Sequence, residues 1–459
     1  MSEELQTADT PPEEPKERFI PISRQEIVND LLAASHWSVE EKHQFGEFCQ
    51  IFEALYHYKF QTNLEELKRC YAPFNPDTDI VTQHEYSANE KQELRHSLNE
   101  EMRRLLNNAN YEPLSIEEIN QAINAESFYG VNVSVDLDDF EKLIVYYRGS
   151  TTQTKYQRDW KKLFLAKKPL EIPIYKRMFM LMKFRTESEL VEERAENWLQ
   201  EKEKQGLEKG QTLDEEQKTK FKTKFEKKAQ KQIQKSRQNL PEDLTEEHVF
   251  LKLFKNIPRT DLEMLFPNQN VRLKLVDKIK LGVTGGGGTL FGIFKMATTV
   301  LTLNPFAIIG AFVGFLGIIF RQIMNIFSQR TKYMMTLSRN LYFHNLDNNF
   351  GVMNFLIDMA EEEEGKEAIL AYYFLLTHPE KNYTQASLDR EIEAYIQAKY
   401  KVAIDFEVDD GIRKLREENI LLEEPNGTLK VLSLKKASIC LDNQWDNFFN
   451  PGADKCHDK

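Results

Sequence analysis

Residues 296–320, MATTVLTLNPFAIIGAFVGFLGIIF, run for 25 positions without a charge. About 20 such residues cross the hydrocarbon of a bilayer. The run therefore predicts a membrane anchor with folded mass on both flanks. Two topologies fit it. One span over 296–320 places the flanks on opposite sides. A hairpin over 281–327 turns at Asn304-Pro305, where proline removes a helical donor and steers the residue before it out of the α region. Arg272, Lys274, Lys278 and Lys280 precede the run, and Arg321, Arg330, Lys332 and Arg339 follow it. Basic flanks favour the cytoplasmic side, so equal flanks favour the hairpin: two spans with both termini cytoplasmic. Gly285 to Gly288 and Lys295 in the first arm weigh against it. Gly310 and Gly314 form a GxxxG step that permits close backbone approach, and with Pro305 they are the expected spanning or packing positions.

The same glycines do not make a phosphate loop. Gly282 and Gly287 have the Walker spacing, but Gly288 stands where the motif needs lysine. The net charge of −12 argues against general nucleic-acid binding, which requires a basic face. Four dispersed cysteines form no CxxC pair and no disulfide framework, which points to a reducing compartment.

With 459 residues the chain has room for about three domains. The acidic, proline-containing segment 1–18 is expected to be a disordered tail. Over 19–127 the pattern is helical: Phe45, Phe48, Cys49, Phe52, Leu55 and Tyr56 recur at helical spacing, a second helix starts near Asn63, and Ser115 with Glu118 reads as a capping box. Over 128–185 alternation and the apolar runs 143–147, 172–175 and 178–184 predict a small antiparallel sheet. Residues 187–240 read as a charged helical insertion, bent near Gly206 and Gly210. Its second half, 217–238, holds nine Lys or Arg against one Glu. A solvated insertion is the preferred reading. The sharper one has Lys220, Lys224, Lys227 and Lys231 contacting anionic lipid while Phe221, Phe225 and Ile233 dip into the interface. A helical connector is expected over 328–365, a winged-helix-like domain over 366–440 with its ribbon at Asn426-Gly427, and a tail over 441–459. The acidic first turn of the third helix, with Asp409 and Asp410, argues for protein contact rather than DNA. The expected fold class is thus α+β: a mainly helical multidomain membrane protein with a small antiparallel sheet, a two-helix transmembrane hairpin and a C-terminal winged-helix-like domain.

The segment VFLKLFKNIPRTDLEMLFPNQNVRLKLVDKIKLG at 249–282, with YYRG at 146–149 and IYKRMFMLMKF at 174–184, resembles the transmembrane protein 143-like family, defined by a domain of unknown function. The resemblance covers roughly 125–340, with its core motif over 249–280. It implies two membrane spans and offers no established activity or catalytic residues. Eukaryotic members are mitochondrial; the N-terminus here is not transit-like, which favours a bacterial inner membrane.

No catalytic, cofactor or metal pattern emerges. His36 with His43, and His344 with His378, lack metal-ligand spacing. Asp136, Asp138 and Asp139 suit a strand turn better than a cation loop. Arg148-Gly149-Ser150 is weighed as an anion site against a satisfied surface arginine, and Arg259 with Asp261 as a local ion pair. The expectation is a membrane-anchored, cytoplasm-facing scaffold or adaptor, with no cofactor and with the lipid bilayer and a protein partner or self-association as its contacts. The alternative is an enzyme or lipid-handling protein with a site in 125–270, and the weaker one an oligomeric pore.

Overall fold

Serine marks several helix starts in this chain. Ser38, Ser87 and Ser115 each accept from a backbone N–H three residues on, and Glu41, Glu90 and Glu118 each reach back to the serine's own N–H. Each box satisfies two otherwise orphaned donors. The computed structural model describes residues 16–77, 84–124, 132–158, 167–208, 214–237, 246–268, 270–272, 341–449 and eight single positions between 317 and 339. They divide into two units: residues 1–112, 146–150 and 349–459, and residues 113–145 and 151–348.

The first unit is helical. It contains α1 (Arg24–Leu32), α2 (Val39–Tyr71), α3 (Ala88–Asn108), α7 (Phe350–Thr377), α8 (Gln385–Tyr400), α9 (Val408–Glu417), the strands β8 (Leu421–Glu423) and β9 (Leu429–Val431), and α10 (Leu434–Asp446). The stripe from Phe45 to Tyr56 is buried, and it continues through Phe60, Leu64, Leu67 and Tyr71. One 33-residue helix therefore replaces the two that were expected, and it runs unbroken through Asn63. Helix α7 is buried on nearly all sides, as expected of a central helix. It crosses position 365, where a connector was expected to end. Phe48 stacks on Tyr372 at 4.1 Å between ring centroids. The ribbon of β8 and β9 turns at Gly427, whose φ of +83° suits glycine.

Helix α9 comes very close to α7. A Cβ placed on Gly411 would lie 2.9 Å from the carbonyl oxygen of Glu367 and 3.3 Å from the Cβ of Ala371. Backbone cannot yield as a flexible side chain does, so Gly411→Ala is expected to cost about 1–3 kcal/mol by overpacking. The urea midpoint measures this; an unchanged midpoint would show that α9 shifts freely.

The second unit holds α4 (Ile116–Asn124), β2 (Asn132–Ser134), β3 (Phe140–Arg158), β4 (Lys167–Phe184), α5 (Glu187–Glu208), α6 (Glu215–Arg237), β5 (Val249–Pro258), β6 (Asn270–Arg272) and β7 (Asn345–Asn348). The segment 146–150 of β3 counts with the first unit. With β1 (Glu112–Pro113), a five-stranded sheet has the order β1-β3-β4-β5-β7. The pairs β4–β5 and β5–β7 are antiparallel, and β4 runs against β5 from Ile174 opposite Pro258 to Lys183 opposite Val249. The apolar runs 172–175 and 178–184 are thus parts of one strand. Strand β2 pairs with β6 instead of joining this sheet.

The fold is mainly helical with a small antiparallel sheet. The expected membrane architecture is corrected: among the described residues no helix is long and apolar enough to cross a membrane. That overturns the two-helix transmembrane hairpin and the multi-pass inner-membrane location. The run 296–320 on which the expectation rested lies, apart from Gly317 and Phe320, outside the described residues. Pro305, Gly310 and Gly314 lie outside the described residues.

Candidate functional site

The end of β5 builds a pocket in the second unit. Strand pairing stops at Pro258, which has no N–H to donate and which leads into a 3-10 turn over Arg259–Leu265. Just before it, Asn256 takes a φ of +54°, a left-handed conformation that asparagine tolerates better than most residues. This bend opens a cavity of about 660 Å³. Its apolar lining comes from Ile174, Ile257, Pro258, Met264, Leu265 and Leu341. Its polar groups are Thr151, Thr152 and Gln153 on β3, Asn256, Asp261 and His344. The three β3 residues are exposed, whereas Asp261 is buried.

His344 is oriented by the sheet. Its Nδ1 lies 2.7 Å from the carbonyl oxygen of Lys255. A carbonyl only accepts, so Nδ1 carries the proton and the neutral ring keeps its lone pair on Nε2. The ring thereby offers an acceptor or a base. Asp261 accepts from the Thr260 hydroxyl at 3.1 Å, while Arg259 is exposed. In the same turn Glu263 is buried at 2% exposure, with no hydrogen-bond partner for either carboxylate oxygen. Burial pushes its carboxyl up to about 7, with its own backbone N–H opposing the rise and the charge of Asp261 adding to it.

The other sequence candidates fall elsewhere. Asp136 and Asp139 are held by Arg194 at 2.6 and 3.0 Å, and Asn268 donates to Asp139 at 2.9 Å. A guanidinium therefore occupies the place a cation would take, and Asp136 caps the short turn Leu137–Asp139. Arg148 is buried, pairs with Glu363 at 2.5 Å and lies over the Phe19 ring, so no surface anion site forms there. His344 and His378 fall in different units. His43 pairs with Glu47, and His36 lies against Trp37 and Tyr373, where burial lowers its pKa. Among the described residues no group of three or more His, Cys, Asp or Glu side chains is placed to hold a metal. Lys220, Lys224, Lys227 and Lys231 are exposed on α6, but the aromatic residues expected to enter a lipid interface are used inside the hairpin: Phe225 meets Trp198 at 5.9 Å and Phe221 at 6.0 Å, and Ile233 is fully buried.

The largest buried charge cluster escaped sequence reading. Glu361, Glu363, Glu364, Lys366 and Glu367 of α7 are all buried. Lys366 bonds Glu363 at 2.6 Å and the carbonyl of Ile20 at 2.7 Å; Lys414 bonds Glu367 at 2.7 Å. Its one signal in sequence was four consecutive glutamates inside an otherwise apolar helical stretch.

Residues 140–351 match the family model for a protein of unknown function, DUF3754. That is less than half of the chain, and it supports a family defined by a domain of unknown function without carrying the transmembrane protein 143 name. No solved structure matches the chain. All the cavity residues named above, from Thr151 to His344, lie inside the DUF3754 segment.

Proposed function

We propose that the DUF3754 segment binds a small polar molecule in the cavity at the end of β5. The observation that supports this most is the coincidence of an open, mixed polar and apolar cavity with the matched segment, at the motif NIPRTDLEML. Binding cavities of a few hundred Å³ combine an apolar wall with a few placed polar groups, and this one has that composition. Its described lining carries a carboxylate, a histidine, hydroxyls and amides, and no Lys or Arg. A neutral or cationic ligand therefore suits it better than a phosphate. His344 Nε2 serves as acceptor for a ligand hydroxyl or amine, and the same atom is positioned to remove a proton. The reading falls in the class of enzymes and ligand-handling proteins. The membrane-tethered adaptor is set aside with the span on which it relied.

Thermal-shift titration with polyols, amino acids and polyamines tests the proposal. At least one class should raise the melting temperature of the full chain in a saturable manner. Two substitutions, Thr152→Trp to fill the cavity and His344→Phe to remove the acceptor, should abolish the shift while leaving circular dichroism unchanged. No saturable shift with any class, or a shift that survives both substitutions, would overturn it.

A further inference from the structure

The hairpin of α5 and α6 separates charge by helix. Helix α5 is acidic over most of its length, and α6 carries eight lysines and Arg237. Within the hairpin the two antiparallel helices keep a fixed register. Trp198 meets Phe225, Lys202 lies over the Phe221 ring, and Lys218 pairs with Glu203 at 3.1 Å. Phe221, Phe225 and Ala229, spaced by four, form the side of α6 that packs inward. Lys224, Lys227, Lys231 and Lys235 lie about a third of a turn round the helix, all exposed, and carry no ion pair among the described residues. On α5, Glu189, Glu192 and Glu196 are likewise exposed on one face; Glu189 and Glu192 carry no ion pair among the described residues, and Glu196 meets Lys222 at 3.6 Å.

We propose that the lysine stripe of α6 docks on the glutamate stripe of α5 in a second copy of this chain. The argument is level matching. In the register that Trp198–Phe225 and Lys202–Phe221 set, Lys235 stands level with Glu189, Lys231 with Glu192 and Lys227 with Glu196. A second hairpin brought alongside in the same direction, without sliding, sets its α5 antiparallel to this α6 and places these groups opposite one another. The spacing of three and four residues on each helix keeps each set on one face at a rise of about 1.5 Å per residue. The stripe on α6 has no exposed large apolar side chain with which to enter a bilayer, since its aromatic residues are inside the hairpin. Because each stripe faces away from its own hairpin partner, the contact is head-to-tail, and it propagates rather than closing in pairs unless a rotation intervenes. Exposed charges are screened over about 3 Å at 1 M salt against about 30 Å at 0.01 M, so association is a low-salt property.

Sedimentation velocity of the full chain over a concentration series at 10 mM and 1 M sodium chloride tests this. The expected result is concentration-dependent association at 10 mM that disappears at 1 M. The triple reversal K224E/K227E/K231E and the reversal E189K/E192K/E196K should each be monomeric at 10 mM. Mixing the two reversed proteins should restore association, because the acidic α6 of one then faces the basic α5 of the other. That restoration also shows that both variants are folded. A wild type that stays monomeric at 10 mM, association untouched by either reversal, or no recovery on mixing would overturn the proposal. So would a monomeric wild type whose α6 lysines bind phosphatidylserine vesicles, which assigns the stripe to an anionic surface.

Discussion

Replacing Lys414 by methionine is expected to lower the unfolding free energy at pH 8 by about 3–5 kcal/mol, the usual cost of breaking a buried ion pair from one side. Lys414 is 0% exposed, and its Nζ lies 2.7 Å from Glu367 Oε2 and 3.9 Å from Glu364 Oε1. Glu367 accepts one further bond, from Asn110 Nδ2 at 2.9 Å. Without the lysine, one amide donor is left to compensate a fully buried carboxylate. Methionine fills a similar volume, so the loss measures charge and not a cavity.

The pH dependence identifies the cause. Burial pushes the Glu367 carboxyl up to about 7, against the pull of Lys414. Its folded pKa thus lies above the unfolded value of about 4.5, and the folded state holds the proton more tightly between them. Stability from this group falls as pH rises from about 4.5 through 7. Removing Lys414 raises the folded pKa further and extends that window upward. The difference between wild type and variant should therefore be largest at alkaline pH and shrink towards pH 5. Urea titrations at pH 5, 6.5 and 8 measure it. The double change Lys414→Met with Glu367→Leu should recover most of the loss at pH 8, since replacing both partners leaves no unpaired charge from this pair. A loss below about 1 kcal/mol, or one that does not vary with pH, would mean that the pair is solvated in solution.

The sequence disclosed local chemistry and hid what is assembled from distant segments. Ser115 with Glu118 announces a helix start because capping needs only four consecutive residues. The stripe Phe45 to Tyr56 announces a buried face because helical periodicity is local. By contrast, EEEE at 361–364 resembles a solvated run, and it fell in the helical connector expected to end at 365. Its cations come from Arg24, Arg148, Lys366 and Lys414, and three of these lie far away in sequence. Asn63 looked like a helix start, yet burial of Phe60, Leu64 and Leu67 carries α2 straight through it, since tertiary packing overrides a weak propensity. The cavity was hidden for the same reason. The motif NIPRTDLEML stood out, but Thr151, Thr152 and His344 reach it only through strand pairing. Pairing of β2 with β6 instead of its sequence neighbours was equally out of view, because register and partner are non-local.

Glu263→Gln is expected to raise stability at pH 8 by on the order of 2 kcal/mol and to have no effect at pH 4. Glu263 has no hydrogen-bond partner for either oxygen, and burial lifts its carboxyl from 4.5 to about 7. The sign follows from proton binding. Below about 4.5 the carboxyl is protonated whether folded or unfolded, so it contributes no pH-dependent term. Between 4.5 and 7 the unfolded chain ionises while the folded one retains its proton, and stability declines with pH. Above 7 the folded state carries a buried anion. At about 1.36 kcal/mol per pH unit that burden is a little over ~3 kcal/mol, and glutamine returns part of it because its amide is also desolvated. Groups that destabilise a fold are retained where they act, and stability is commonly traded for function at such positions. Glu263 shares its turn with Asp261, Met264 and Leu265, all of which line the cavity. The stabilised Glu263→Gln chain is therefore expected to show a weaker or pH-insensitive ligand-induced thermal shift, whereas the wild-type shift changes across pH 6 to 8. If glutamine is neutral or destabilising at pH 8, the carboxylate is partnered in solution. If it stabilises without altering the ligand response, Glu263 strains the turn and takes no part in the site.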